Sequence, residues 1–208
     1  MKPINPDSAL KRLVDGNARF SVGLRSIHSL ISGLQLKTLA EKGQKPFAII
    51  LACSDSRVPT ETIFDCSVGD LYVFRVAGNI LSESTLSGIE YAMTHFSIPL
   101  CVVLGHTECG AVKAALSQIL NPAPTFPSPS LGDLISEIIP DSKTCSDIQK
   151  NPESSQLAID LNKKSLQHTA RRLQEKSTLV QSKIKQGEFQ IVTAIYEIAL
   201  GTVSFLSK

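Results

Sequence analysis

At 208 residues, with 42% hydrophobic and 19% charged side chains, the chain can bury a substantial core as one globular domain. A net charge of +2 on scattered basic residues leaves no footprint for nucleic acid or an anionic membrane surface. The apolar runs are strand-length, far short of a bilayer span. Residues 1–7 lack the apolar stretch of a secretory signal, so a cytoplasmic setting is expected.

In chain order, Asp7 is placed to cap a first helix carrying Leu10, Leu13, Val14 and Phe20, with Gly16-Asn17 weakening its end. A second helix is predicted over 29–42, with Leu30, Ile31, Leu34 and Leu39 and a stop at Gly43 and Pro46. Because both helices precede the first strand, they are expected to pack on a neighbouring subunit. From residue 47, short apolar runs alternate with helical patterns. Strands are predicted at 47–52, 71–77 and 99–104, a helical turn at 60–65, and helices at 83–96 and 110–120. Near-continuous apolar strands separated by helices indicate a mainly parallel α/β sheet covered on both faces. Right-handed crossovers then put the strand ends on one edge.

Residues 121–130, with four prolines, read as a loop, and 131–139 as a short helix. A long polar helical region lies within 154–185, ended by Gly187. Late edge strands follow at 189–195 and 202–206, joined at Leu200-Gly201. The chain is thus expected to be one domain: a helical arm (1–45), a metal-site core (46–120), and C-terminal helices and edge strands (121–208).

Five cysteines, an odd number without the spacing of a disulfide framework, read as metal-binding or buried thiols. Cys53 follows one predicted strand, and His106 and Cys109 follow another. Two thiolates and an imidazole suit tetrahedral zinc with an open fourth position, and thiolates disfavour hard ions such as magnesium. Taken singly, Cys53 is as readily a buried thiol and His106 is more often a core or turn histidine, while a mere turn residue at Asp55 and a surface ion pair at Arg57 are the lesser readings. Cys101 reads as core and Cys145 as an exposed residue of a polar loop. Asp55 has two open roles: accepting a hydrogen bond from water on the metal, or binding the metal and closing the site. Arg57, with its forked donor face, is placed to hold Asp55 away.

At this point the residues resemble a known family. Cys-Ser-Asp-Ser-Arg-Val-Pro from Cys53, followed by Gly-His-Thr-Glu-Cys-Gly-Ala-Val from Gly105, is similar to the β-class carbonic anhydrases. So are Gly16-Asn17-Ala18-Arg19-Phe20, Arg75-Val76-Ala77-Gly78-Asn79, and the end from Tyr196 through Gly201 to Val203. The resemblance implies one zinc per chain on Cys53, His106 and Cys109, with Asp55 and Arg57 as a catalytic dyad and Asp55 as the ligand of a closed form. It implies a homodimer or tetramer with embracing N-terminal helices. It also implies reversible hydration of carbon dioxide to bicarbonate and a proton by zinc-bound hydroxide.

Uncharged carbon dioxide calls for an apolar pocket, for which Val58, Val76, Ile80 and the backbone of Gly110 are candidates. Some members carry a second bicarbonate pocket with a tryptophan three residues before the first cysteine. Here that position is Ile50 and the chain has no tryptophan, although Arg75 stands where that pocket's arginine would be. Two alternatives accompany the main expectation. Carbonyl sulfide and carbon disulfide hydrolases look similar. A bicarbonate-binding or structural homologue without turnover would need a fourth protein ligand on the zinc.

Overall fold

The computed structural model describes residues 4–29, 32–122, 125–152, 154 and 156–206. Its strands are β1 (Ala48–Ala52), β2 (Leu71–Arg75), β3 (Leu100–His106), β4 (Gln190–Glu197) and β5 (Thr202–Phe205). They form one sheet in the order β2-β1-β3-β4-β5, parallel except for the antiparallel β4–β5 pair. Every residue of β1 and β3 is buried, as expected for central strands covered on both faces. Each fully buried Ile or Leu there contributes about 1.5–3 kcal/mol through apolar burial.

The helices are α1 (Pro6–Ser21), α2 (Gly33–Lys42), α3 (Thr60–Ile63), α4 (Glu83–Phe96), α5 (Gly110–Leu120), α6 (Pro129–Ile138), α7 (Ser142–Lys150), α8 (Leu157–Lys176) and α9 (Thr178–Lys185). Alternation along β1 sends Ile50 and Ala52 to a cluster with Leu13 of α1 and Ile63 of α3. Ile49 and Leu51 face the opposite cluster, with Ile89 of α4, Leu173 of α8 and Val180 of α9. A third cluster joins α5, α6 and α7 around Cys53 and Cys109.

This strand order creates a switch point. From β1 the chain leaves for β2 on one side, and from β3 it leaves for β4 on the other. The loops after these two neighbouring strands diverge, and a crevice opens beyond their carboxyl ends. Among the described residues, no helix is long and apolar enough to cross a membrane.

Several local expectations change. Asn5, not Asp7, caps α1, its side chain accepting from the Ser8 N–H at 2.8 Å, and Asp7 is the acidic residue of the first turn. α1 packs on its own sheet: Ala9 and Leu13 are fully buried within this one chain. Asn17 donates to Ile63 O and Gly201 O and accepts from the Val203 N–H. The second helix starts at Gly33 under a Ser32 cap, after a 3-10 turn at Ile27–Ser29, and ends as expected at Gly43. Leu30 and Ile31 lie outside the described residues. The 154–185 region is two helices, parted where Ser177 caps α9.

Residues 142–150 form α7, not a polar loop. Its apolar signal is thin because it buries only Thr144 and Ile148, and Cys145 sits half-buried against the third cluster. The third strand runs on to His106, which is therefore a strand residue with no exposed surface.

A Cβ added at Gly16 would stand 1.9 Å from the Phe64 carbonyl oxygen, which is backbone and cannot yield. Gly16→Ala should therefore destabilise the fold by about 3 kcal/mol in urea unfolding. Burial also pushes the Cys66 and Cys101 thiols up to about 12. Folding thus favours the protonated thiol, a contribution complete below the unfolded value of about 8.5 and lost as pH climbs above it. Stability should fall between about pH 8 and about pH 11, and Cys101→Val should lessen that fall.

Candidate metal centre

Cys53 is the first residue after β1, and its loop is tied to the end of β2. Ser54 N donates to Val76 O at 3.3 Å, and Val76 N donates to Ala52 O at 3.0 Å. Arg75 adds a side-chain clamp, Nε donating to Cys53 O at 3.1 Å and Nη2 donating to Asp55 O. From His106, at the end of neighbouring β3, the chain turns through Glu108, whose φ of 59° is left-handed, and delivers Cys109 to the amino end of α5. The ligand atoms of Cys53, His106 and Cys109 all lie within 4.8 Å of one another, and all three residues are buried.

The donor set fits zinc. Bonds of about 2.3 Å at a tetrahedral angle separate two sulfurs by about 3.8 Å, and here Cys53 Sγ and Cys109 Sγ are 4.0 Å apart. His106 Nδ1 lies 2.8 Å from Thr107 O, while its buried Nε2 has no hydrogen-bond partner among the described residues. A carbonyl only accepts, so the Nδ1 contact carries the proton and leaves Nε2 as a bare lone pair. That orphaned nitrogen faces the same space as the two sulfurs.

The sulfurs also show why a cation belongs there. Two buried thiolates this close repel. Cys53 is held well below the usual thiol range, chiefly because Cys109 donates to it, and Cys109 is held well above because its proton serves Cys53. Backbone N–H groups of Asp55 and Gly78 assist Cys53, and those of Val112 and Ala111 face Cys109. A bound dication would release the shared proton and favour both thiolates.

Asp55 and Arg57 stand beside this cluster. Arg57 Nε and Nη2 donate to Asp55 Oδ1 and Oδ2 at 3.0 and 2.7 Å, and Arg57 N donates to Oδ1 at 2.9 Å. The Arg57 side chain holds the Asp55 carboxyl well below the ordinary carboxylate range. Asp55 Oδ2 is 4.0 Å from His106 Nε2, and Arg57 Nη2 also donates to Glu108 O at 3.1 Å. The aspartate thus borders the cluster with both oxygens engaged by the guanidinium.

The expected pocket residues divide. A Cβ at Gly110 would meet nothing within 4 Å, so open space adjoins Cys109 there. Ile80 packs against the cluster containing Cys53 and Cys109, and Val76 is half-buried in the adjoining turn. Val58 is fully buried in the core cluster with Ala52 and Leu104. Cys66 and Cys101 belong to two other clusters.

One support had no local signal in the sequence. Asn162 of α8 donates to His106 O at 2.9 Å, and its Oδ1 fills the space where a Cβ at Gly105 would come within 2.7 Å. Its only hint is a polar residue between Leu161 and Leu166, on the buried face of a helix.

Fold and site together define an α/β protein with a buried group of two cysteines and one histidine, able to hold a metal ion, at the switch point of its sheet. Comparison with known proteins makes this more specific. A family described as "Carbonic anhydrase" matches residues 48–203. A carbonic anhydrase of Mycolicibacterium smegmatis is 35% identical over 204 residues, covering 98% of this chain and 94% of that protein. Carbonic anhydrase 2 of Mycobacterium tuberculosis is 36% identical over 198 residues, covering 95% and 91%. The solved structure of the β-carbonic anhydrase CcaA has a TM-score of 0.70 at 26% identity, over 97% of this chain and 92% of that one. That of CafA from Aspergillus fumigatus has a TM-score of 0.71 at 25% identity, over 83% and 80%. The chain belongs to the β-carbonic anhydrase family, whose members are lyases acting on carbon dioxide and bicarbonate.

Arg57→Leu removes the donors that depress Asp55. In the metal-free protein the Asp55 carboxyl should then titrate near the free-residue value of about 4, followed by carbon-13 NMR. An unmoved titration would show that Arg57 does not control this carboxylate.

Proposed function

We propose that this chain catalyses the zinc-dependent reversible hydration of carbon dioxide, with Cys53, His106 and Cys109 holding one zinc per chain. The observation that carries the reading is the paired Asp55–Arg57 carboxylate and guanidinium, poised 4.0 Å from the free nitrogen of His106. When bound, zinc would supply Lewis acidity that makes water a competent nucleophile near neutral pH.

The chain's own groups would do the rest. Asp55, kept ionised by Arg57, can accept a hydrogen bond and cannot donate one. It therefore orients a water O–H towards itself and turns the oxygen lone pair towards substrate. Each carboxylate oxygen has two lone-pair sites, so contacts with Arg57 leave room for that water. Arg57 also opposes closure, because Asp55 would have to give up these bonds to ligate the metal. Ile80 and the space beside Gly110 would offer carbon dioxide an apolar berth.

The metal-capable group among the described residues has three members, which supports an open fourth position and not a closed structural site. Arg75 spends its guanidinium on the Cys53 and Asp55 carbonyls, so its place here is the ligand loop rather than a second bicarbonate pocket. A homodimer or tetramer is supported by the apolar arm, where Val22, Leu24, Ile27 and Leu34 are 69%, 61%, 84% and 77% exposed. Five free cysteines support a reducing, cytoplasmic setting.

Metal analysis and stopped-flow carbon dioxide hydration on one sample test this. The expected result is about one zinc per chain, with Asp55→Ala lowering turnover by about 100-fold or more. A zinc-free but fully active protein overturns the metal reading, and unchanged turnover in Asp55→Ala removes the dyad. Faster hydrolysis of carbonyl sulfide or carbon disulfide would reassign the substrate.

A further inference from the structure

The segment carrying two of the three ligands, His106 to Cys109, is anchored by the far end of the chain. Thr107 N donates to Tyr196 O at 2.9 Å. Its hydroxyl donates to Glu197 Oε1 at 2.9 Å and accepts from Ile198 N at 3.2 Å. Glu197 Oε1 also accepts from Ala199 N at 3.3 Å, so one carboxylate braces both the β4–β5 turn and Thr107. A carboxylate only accepts. It commits the Thr107 hydroxyl proton to itself and turns an oxygen lone pair towards Ile198 N.

These three bonds hold Thr107 at two atoms, its backbone N and its hydroxyl oxygen, and the carbonyl of that residue is the partner of His106 Nδ1. The chain of contacts therefore runs from Glu197 to the Thr107 hydroxyl, through the Thr107 peptide, to the imidazole. We propose that Glu197, acting through Thr107, is a positioning residue that sets the tautomer and ring orientation of His106 for its metal. Without the hydroxyl links, Thr107 keeps only its backbone bond to Tyr196 and its carbonyl can turn towards solvent. The imidazole is then free to move its proton to Nε2, which disables the nitrogen that faces the cysteines. This rests on the zinc reading of the Cys53–His106–Cys109 cluster given above.

The test uses the full chain, comparing wild type with Thr107→Val, Thr107→Ser, Glu197→Ala and Glu197→Gln. Zinc affinity is read by competition with a chromophoric chelator, and ligand geometry by the visible spectrum of the cobalt-substituted protein. Thr107→Val and Glu197→Ala should weaken zinc binding by about 10- to 100-fold and alter the cobalt bands, because outer partners of metal-bound histidines act on this scale. Thr107→Ser and Glu197→Gln, which keep the hydroxyl and the acceptor oxygen, should stay within about threefold of wild type.

A role confined to the fold would lower the melting temperatures of metal-free and zinc-loaded protein alike and leave affinity and spectrum unmoved; that result overturns the proposal. If Thr107→Val fails to fold, the Glu197→Ala and Glu197→Gln pair decides, and equal affinity in the two overturns it. Failure of the wild type itself to bind zinc is a separate result, which removes the metal reading and this inference with it.

Discussion

The molecule turns on the meeting of β1 and β3. Two neighbouring parallel strands, paired in a register such as Ala52 against Leu104, end side by side and send their chains in opposite directions. What they leave between them is a small space holding two sulfurs and one imidazole nitrogen, all withdrawn from water. Burying three such groups is unfavourable unless each finds a partner. The unpartnered Nε2 of His106, and two thiols sharing one proton, express that demand directly. A bound cation would answer all three at once, and it is the sheet topology that brings the three groups together.

Around that space, the Cys53 loop, His106 and Thr107 are held by groups outside their own turns. Arg75 of β2 holds the carbonyls that flank Ser54, Asn162 of α8 holds the carbonyl of His106, and Thr107 is pinned by the β4–β5 turn. That turn is itself held by Asn17 of α1, which bonds Gly201 O and Val203 N. A ligand set drawn from two loops thus gains the rigidity of strands and helices. Such support is what keeps a metal site selective for one geometry.

The grouping of Cys53, His106 and Cys109, with Asp55 and Arg57 beside them, was legible in the sequence because each lies within a few residues of a strand end, where residue type and spacing carry the message. Strand identities were equally plain, since β1 is apolar throughout and β3 is apolar from Leu100 to Leu104. The supports were not legible. Asn162 is 56 positions from His106, Glu197 is 90 from Thr107, and neither neighbourhood announces a partner. α7 was missed because a helix burying only Thr144 and Ile148 has too little apolar periodicity to register. Val58, next to Arg57 in sequence, packs in the fold into a buried cluster with Ala52 and Leu104, which its neighbours in sequence do not announce. The placement of α1 depended on side-chain bonds from Asn17, which composition and periodicity do not report.

Arg57 shows how an exposed side chain gains weight. Its side chain is 48% exposed, and an isolated ion pair in that setting contributes little. Here the pairing is bidentate, the Arg57 backbone N–H adds a third bond to the same carboxylate, and Nη2 reaches across to Glu108 O. Asp55 belongs to the loop after β1 and Glu108 to the loop after β3, so one guanidinium spans both halves of the ligand set. Moving Asp55 inward would break two side-chain bonds and loosen the bridge between the loops that carry Cys53 and Cys109. The orientation of the aspartate and the spacing of the sulfurs are therefore coupled through one arginine, and a change at either is felt at the other.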